Sequence, residues 1–271
     1  MFDATSPSEP PLTRMHGRAE ISFAGGRLAR LYQRAPLRVL FPDPPPGEPP
    51  QAALVTTSGG LTGGDRQDIA VAVGEGTRAS VVASAAEKIY RSTGADAAVE
   101  VSLAAGPGAW LEFLPQETIL FDGARLRRRT TVDLAATAEV LAGEMLVFGR
   151  TARGERFTHG LARDEWRIRR DGRLVWADAL HMADPAVLAA RAGFGGAVAC
   201  ATLILAAPDP AVWRDRVRDL LAGYGGRAGA TVVNGMLVAR WLDEDAQALR
   251  NNFGAVWSAL RGGAMPRLWH I

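Results

Sequence analysis

The sequence predicts a mainly β protein of the α+β class, with stacked strands in a solenoid-like sheet and two helices flanking a hairpin near the C-terminus. Three observations lead there. Short runs of strand pattern recur at fairly regular intervals from about residue 53 to residue 147, although no fixed sequence period accompanies them. Three turn dipeptides, Gly25-Gly26, Asp171-Gly172 and Asn234-Gly235, separate alternating runs and accept the positive φ angles of a hairpin turn. Helical spacing of apolar residues emerges only after residue 208.

The elements follow in chain order. Residues 1–15 are polar and proline-rich, the composition of a mobile tail. "RAEISFAGGRLARLYQ" is a hairpin, and "LFPDPPPGEPP" is a surface connector, because proline supports neither a helix interior nor a central strand. "TSGGLTGGDRQD", residues 57–68, has the outer glycine spacing of a phosphate-binding loop, but Asp65 and Arg66 stand where Lys and Ser/Thr belong. A carboxylate there repels phosphate, and "DIAVAV" continues as a strand, so the loop reads as a tight turn between strands. "WRIRRDGRLVWAD" is the second hairpin. In "DPAVWRDRVRDLLAGYG", Asp209 stands at the N-cap and Pro210 at N1, with Val212, Trp213, Val217, Leu220 and Leu221 at helical spacing. "TVVNGMLVARW" is the third hairpin. "DEDAQALRNNFGAVWSALRGG" then sets Asp243 to Asp245 at the positive end of a helix whose stripe is Leu249, Phe253, Val256, Trp257 and Leu260.

The chain has 271 residues with 48% hydrophobic content, enough for one sizeable core, so a single domain over 1–271 is expected. Its 31 basic and 29 acidic residues leave a net charge of +2, too balanced for a nucleic-acid partner. No apolar run reaches bilayer length and the N-terminus lacks a secretion signal, so no membrane partner and a cytoplasmic location are expected. A single cysteine, Cys200, excludes an internal disulfide and a thiolate zinc cluster.

No nucleophile elbow is present, and the four histidines are scattered without metal-ligand spacing. Cys200 lies in the apolar strand pattern "GGAVACATLILAA", the setting of a small buried thiol. The carboxylates Asp65, Glu87, Glu112, Glu117, Asp122, Glu144 and Asp178 interrupt apolar or glycine-rich runs. Each taken singly reads as half of a structural ion pair, with Arg91, Arg125, Arg150 and Lys88 as available cations. Taken together they suit a water-filled passage lined by oxygen ligands. Arg125, Arg127 and Arg129 share one strand face, either a solvated edge or a docking surface for an acidic partner.

The phrases "TSGGLTGGD", "AAEKIYRS", "LEFLPQETILFDGARLRRR", "GEMLVFGRTARGERFTHG" and "MPRLWHI", in that order from about residue 18 to the C-terminus, resemble the UreD (UreH) family of urease accessory proteins. The resemblance implies a largely β fold resembling a β-helix with helices toward the end, and a non-enzymatic chaperone of metallocentre assembly. It implies that the protein joins UreF and the GTPase UreG and docks on apo-urease, whose subunits are UreA, UreB and UreC, to deliver nickel. It implies no prosthetic group; Ni²⁺ is a transient cargo that passes through an internal tunnel. By position in the matching phrases, Asp65, Glu144, Asp178 and His181 correspond to polar residues of that tunnel. Ni²⁺ prefers nitrogen donors, so scattered carboxylates would bind it loosely and release it, with the glycine loop presenting Asp65 at a mouth or bend.

Two alternatives stay open. One is a pure scaffold that binds its partners without touching nickel. The other is a β-helical carbohydrate-active hydrolase with two carboxylates as acid and base, for which the 7% aromatic content supplies few sugar-binding platforms.

Overall fold

The computed structural model describes residues 14–270, so nearly all of the tail expected over 1–15 lies outside the described residues. The strands are β1 (His16–Ala24), β2 (Arg27–Arg34), β3 (Leu37–Leu40), β4 (Gln51–Thr56), β5 (Arg66–Val73), β6 (Arg78–Ala83), β7 (Glu87–Ile89), β8 (Ala97–Ala105) and β9 (Trp110–Leu114). They continue as β10 (Thr118–Leu120), β11 (Arg125–Leu134), β12 (Glu139–Phe148), β13 (Leu161–Arg170), β14 (Arg173–Met182), β15 (Ala199–Ala206), β16 (Arg227–Val233) and β17 (Met236–Asp243). Two helices, α1 (Pro210–Leu221) and α2 (Ala246–Arg261), flank the β16–β17 hairpin.

The chain winds between two facing sheets. One has the order β14-β13-β11-β8-β5-β1-β2; the other runs β16-β17-β15-β12-β9-β6-β4-β3, with β10 and β7 joined at β12. Strands β1, β5, β8, β11 and β13 are parallel neighbours in the first sheet, as are β4, β6, β9 and β12 in the second. Returning to the same sheet after visiting the other is what makes the stack solenoid-like. The register aligns Ile69 with Val101, Val101 with Thr130 and Thr130 with Trp166. Those steps are unequal, which is why no sequence period betrays them.

Period-two patterning places the core. In β5 and β8 the residues Ile69, Val71, Val73, Val99, Val101 and Leu103 are buried, and the residues between them face outward. They meet Leu54, Val81, Leu111, Val140 and Ala142 from the second sheet in the larger core. Fully burying one such side chain contributes about 1.5–3 kcal/mol. Strand β12 is apolar on both faces because the second sheet is covered twice. Its outer face, with Leu141, Met145 and Val147, lies under the α2 stripe of Leu249, Phe253, Val256, Trp257 and Leu260. Phe253 is the hub there, its ring 5.5 Å from Trp241, 5.4 Å from Trp257 and 5.9 Å from Trp269.

All three expected hairpins are present. Their turn pairs have φ of 57° and 72° at Gly25-Gly26, 48° and 75° at Asp171-Gly172, and 46° and 77° at Asn234-Gly235. The first helix departs from expectation. Val217 is its buried residue, whereas Val212 is 69% exposed, because α1 rests on β16 and β17 at one end of the second sheet. Asp209 adopts left-handed backbone and makes no side-chain capping bond, so it is not the expected cap. Among the described residues no helix is long and apolar enough to cross a membrane.

Candidate functional site

Strand β11 alternates strictly, so Arg125, Arg127 and Arg129 turn outward while Leu126, Arg128, Thr130 and Val132 turn into the space between the sheets. The outward arginines are paired locally: Arg125 and Arg127 share Asp96, and Arg129 shares Glu165 with Arg163. Arg128 is different. Only 9% exposed, it meets a carboxylate from each side. Its Nε donates to Asp164 Oδ1 and Oδ2, both at 3.0 Å, and Nη2 also reaches Asp164. Nη2 donates to Glu144 Oε2 at 2.8 Å, and Nη1 to Thr118 Oγ1 at 3.0 Å. Asp164 comes from β13, the parallel neighbour of β11, and Glu144 from β12 across the gap, so the triad ties the two sheets together.

The electrostatics follow from enclosure. Burial raises the Glu144 carboxyl well above the usual carboxylate range, the nearby Asp164 charge raises it further, and Arg128 pulls the other way. Burial also works against the Arg128 charge, but Asp164 and Glu144 outweigh it and hold the guanidinium protonated. Burial and the same two acids push the Cys200 thiol up and keep it protonated.

Two cavities share one residue of this triad. The first, about 200 Å³, lies between the sheets and reaches Ser58 and Gly59 of the glycine loop, Glu87, Thr118, Arg128 and Trp166. The second, about 440 Å³, opens between β14 and β15–β17, with Asp178, Cys200, Arg227 and Arg240 in its wall. Glu144 lines both. In the first cavity Glu87 accepts from Thr56 Oγ1 at 2.8 Å and Gln67 Nε2 at 3.1 Å. Burial raises its carboxyl above the usual range, and these hydrogen bonds and Lys88 oppose the rise. At the far cavity Asp178 is paired with Arg240 Nη2 at 2.7 Å. Among the described residues no three His, Cys, Asp or Glu side chains gather as a metal cluster, so the arrangement is a string of separated oxygen groups.

A family model described as UreD urease accessory protein matches residues 15–270. The chain belongs to the UreD urease accessory protein family. It is 47% identical over 285 aligned residues to urease accessory protein UreD of Magnetococcus marinus, covering 99% of each chain. It is 44% identical to urease accessory protein UreD of Rhodopseudomonas palustris, over 90% of this chain and 88% of that one. The corresponding protein of Methylobacterium sp. strain 4-46 is 43% identical over 99% of both.

In this UreD-family chain the four residues singled out from sequence part company. Glu144 and Asp178 lie in the cavity walls. Asp65 does not: 1% exposed, it accepts from the backbone N–H of Met15 at 2.9 Å and of Thr62 at 2.8 Å, pinning the glycine loop to β1. The loop presents Ser58 and Gly59 at the first cavity instead. Its other glycines serve close packing, since a Cβ on Gly63 would overlap Ser92 Oγ and the Ala95 carbonyl. His181 is also elsewhere. Three residues beyond Asp178 on β14, it takes the opposite face, is exposed, lies across from Arg163, and lines neither cavity. Alternation along β14 thus puts the two residues on opposite faces, with Asp178 alone at a cavity.

Arg128 and Asp164 were not among the residues singled out from sequence. The alternation of β11 marks Arg128 as an inward cation that requires an acid. Nothing in sequence places Asp164 beside it, because that pairing depends on the unequal coil lengths.

Proposed function

We propose that the chain acts in urease maturation as a non-catalytic conduit that conveys nickel between its two cavities toward apo-urease. The observation that carries this reading is the position of Glu144, which lines both cavities. Glu87, Glu144 and Asp178 then supply spaced oxygen donors, which bind Ni²⁺ more loosely than clustered imidazoles and let it move on. UreF and the GTPase UreG are the partners in this reading, and the urease subunits UreA, UreB and UreC are the surface on which the complex docks. Ni²⁺ is cargo throughout, and no prosthetic group takes part.

The hydrolase alternative draws no support from the geometry. Glycoside cleavage requires two carboxyl groups facing each other across a bound sugar, some 5–9.5 Å apart. Glu144 and Asp164 instead bind one guanidinium nitrogen between the sheets. The scaffold alternative differs from the conduit in a measurable way. When urease is matured in cells carrying Glu144→Ala in this chain, nickel per urease active site should fall several-fold while the chain still co-purifies with UreF. Full nickel occupancy would leave the scaffold reading in place.

A further inference from the structure

A conduit meets a difficulty at its junction, since two adjacent carboxylates retain a divalent cation. We propose that Arg128 is the counter-charge that prevents this: its guanidinium occupies a latent divalent-cation site formed by Glu144 and Asp164 and yields it only in passing. The inference rests on the conduit reading above and adds a residue and a role to it.

The geometry supports an occupied site over a simple structural pair. Arg128 uses Nε, Nη1 and Nη2 at once, and its partners come from three strands, β10, β12 and β13. Both carboxylates touch the same nitrogen, Nη2, so one cation already fills the space between them. Metal binding requires both acids ionised, and the triad in that state carries one net negative charge. A divalent ion added beside Arg128 leaves one net positive charge in a buried place, whereas without the arginine the same ion reaches neutrality with the two acids. Coulomb interactions are large in such surroundings, so the arginine sets whether the ion stays or leaves.

A second observation points the same way. Trp166 is 2% exposed, and its indole N–H in the cavity wall is turned toward Glu144 without closing a hydrogen bond of ordinary geometry. A buried donor so loosely engaged suits a water oxygen, the group that accompanies a hydrated ion held by few protein ligands. The hydroxyl of Thr118, fixed by Arg128 Nη1, adds an oxygen at the same point. A role in folding alone would account for the ion pairs but not for the loosely engaged donor or for the two cavities that share Glu144.

The test is equilibrium dialysis of the full-length chain against NiCl₂. Arg128→Met should acquire one nickel per chain at least ten-fold more tightly than the wild type, and adding Glu144→Gln should abolish the gain. Urease matured with Arg128→Met should be nickel-poor, because the ion is retained on the way. Since removing one partner from a buried ion set can unfold a protein, Arg128→Lys is measured in parallel. Its compact ammonium cannot serve both carboxylates in the manner of the planar fork, so a few-fold gain is expected. A folded Met or Lys variant with wild-type nickel affinity would overturn the role given to Arg128 and leave the conduit reading intact. A tight, Glu144-dependent site combined with normally loaded urease would uphold the latent site and overturn the conduit.

Discussion

Asp65 and Asp164 are both aspartates with almost no exposed surface, at 1% and 2%, yet their partners give them different work. Asp65 accepts two backbone N–H groups and closes a loop, whereas Asp164 faces a guanidinium in the space between the sheets. Asp65→Ala therefore leaves two donors without their acceptor, and the expected loss is about 1–3 kcal/mol in denaturant unfolding. Nickel delivered per folded chain should not change. Glu87 yields a pH prediction. Its folded carboxyl lies above the usual range, so its contribution to stability is complete below the unfolded pKa of about 4.3 and is lost as pH rises toward the folded value. The stability of Glu87→Gln relative to wild type should accordingly increase as pH is raised from 4 to 7; a difference independent of pH would contradict the assigned burial. At this scale the sequence shows that acids sit within apolar runs, and the alternation of β11 shows that Arg128 turns inward. Which acid meets which base is decided by coil length, and that is invisible in a single strand's pattern.

Among the elements, the two helices make a useful contrast, because both begin with an aspartate in a favourable sequence position. Asp245 keeps extended backbone and accepts from the N–H groups of Gln247 at 2.8 Å and Ala248 at 3.0 Å. Asp209 is left-handed and bonds neither. Asp245→Ala should therefore lower stability by about 0.5–2 kcal/mol and Asp209→Ala by much less, as read from paired thermal or denaturant midpoints. Equal losses would refute the cap assignment. The hairpins were legible to the residue, since Asp-Gly and Asn-Gly specify a turn by local backbone preference alone. The α2 stripe was legible for a similar reason, its five apolar positions all being buried. The α1 stripe misleads: helical spacing reveals an apolar face but not whether a neighbour covers it, and Val212 remains 69% exposed. Asp178 and His181, three residues apart in sequence, part for a different reason: alternate positions of a pleated strand face opposite sides.

Over the whole molecule, the two-sheet solenoid creates a long inter-sheet space filled mainly by apolar side chains, interrupted by the polar group around Glu87 and by the charges that β11, β12 and β13 bring together. The fold class follows from strand density and turn chemistry, but the facing of two sheets depends on which coils align, and unequal coils leave no repeat to read. The place of Glu144 in the walls of both cavities is thus a property of the assembled stack. The most direct measurement compares nickel per active site in urease matured by chains carrying Glu144→Ala, Asp178→Ala or His181→Ala. An internal route predicts a nickel deficit for the first two, whose side chains line the cavities, and full occupancy for the third, on the outer face of the same strand as Asp178. Full occupancy with Glu144→Ala and Asp178→Ala, or a deficit confined to His181→Ala, would contradict it.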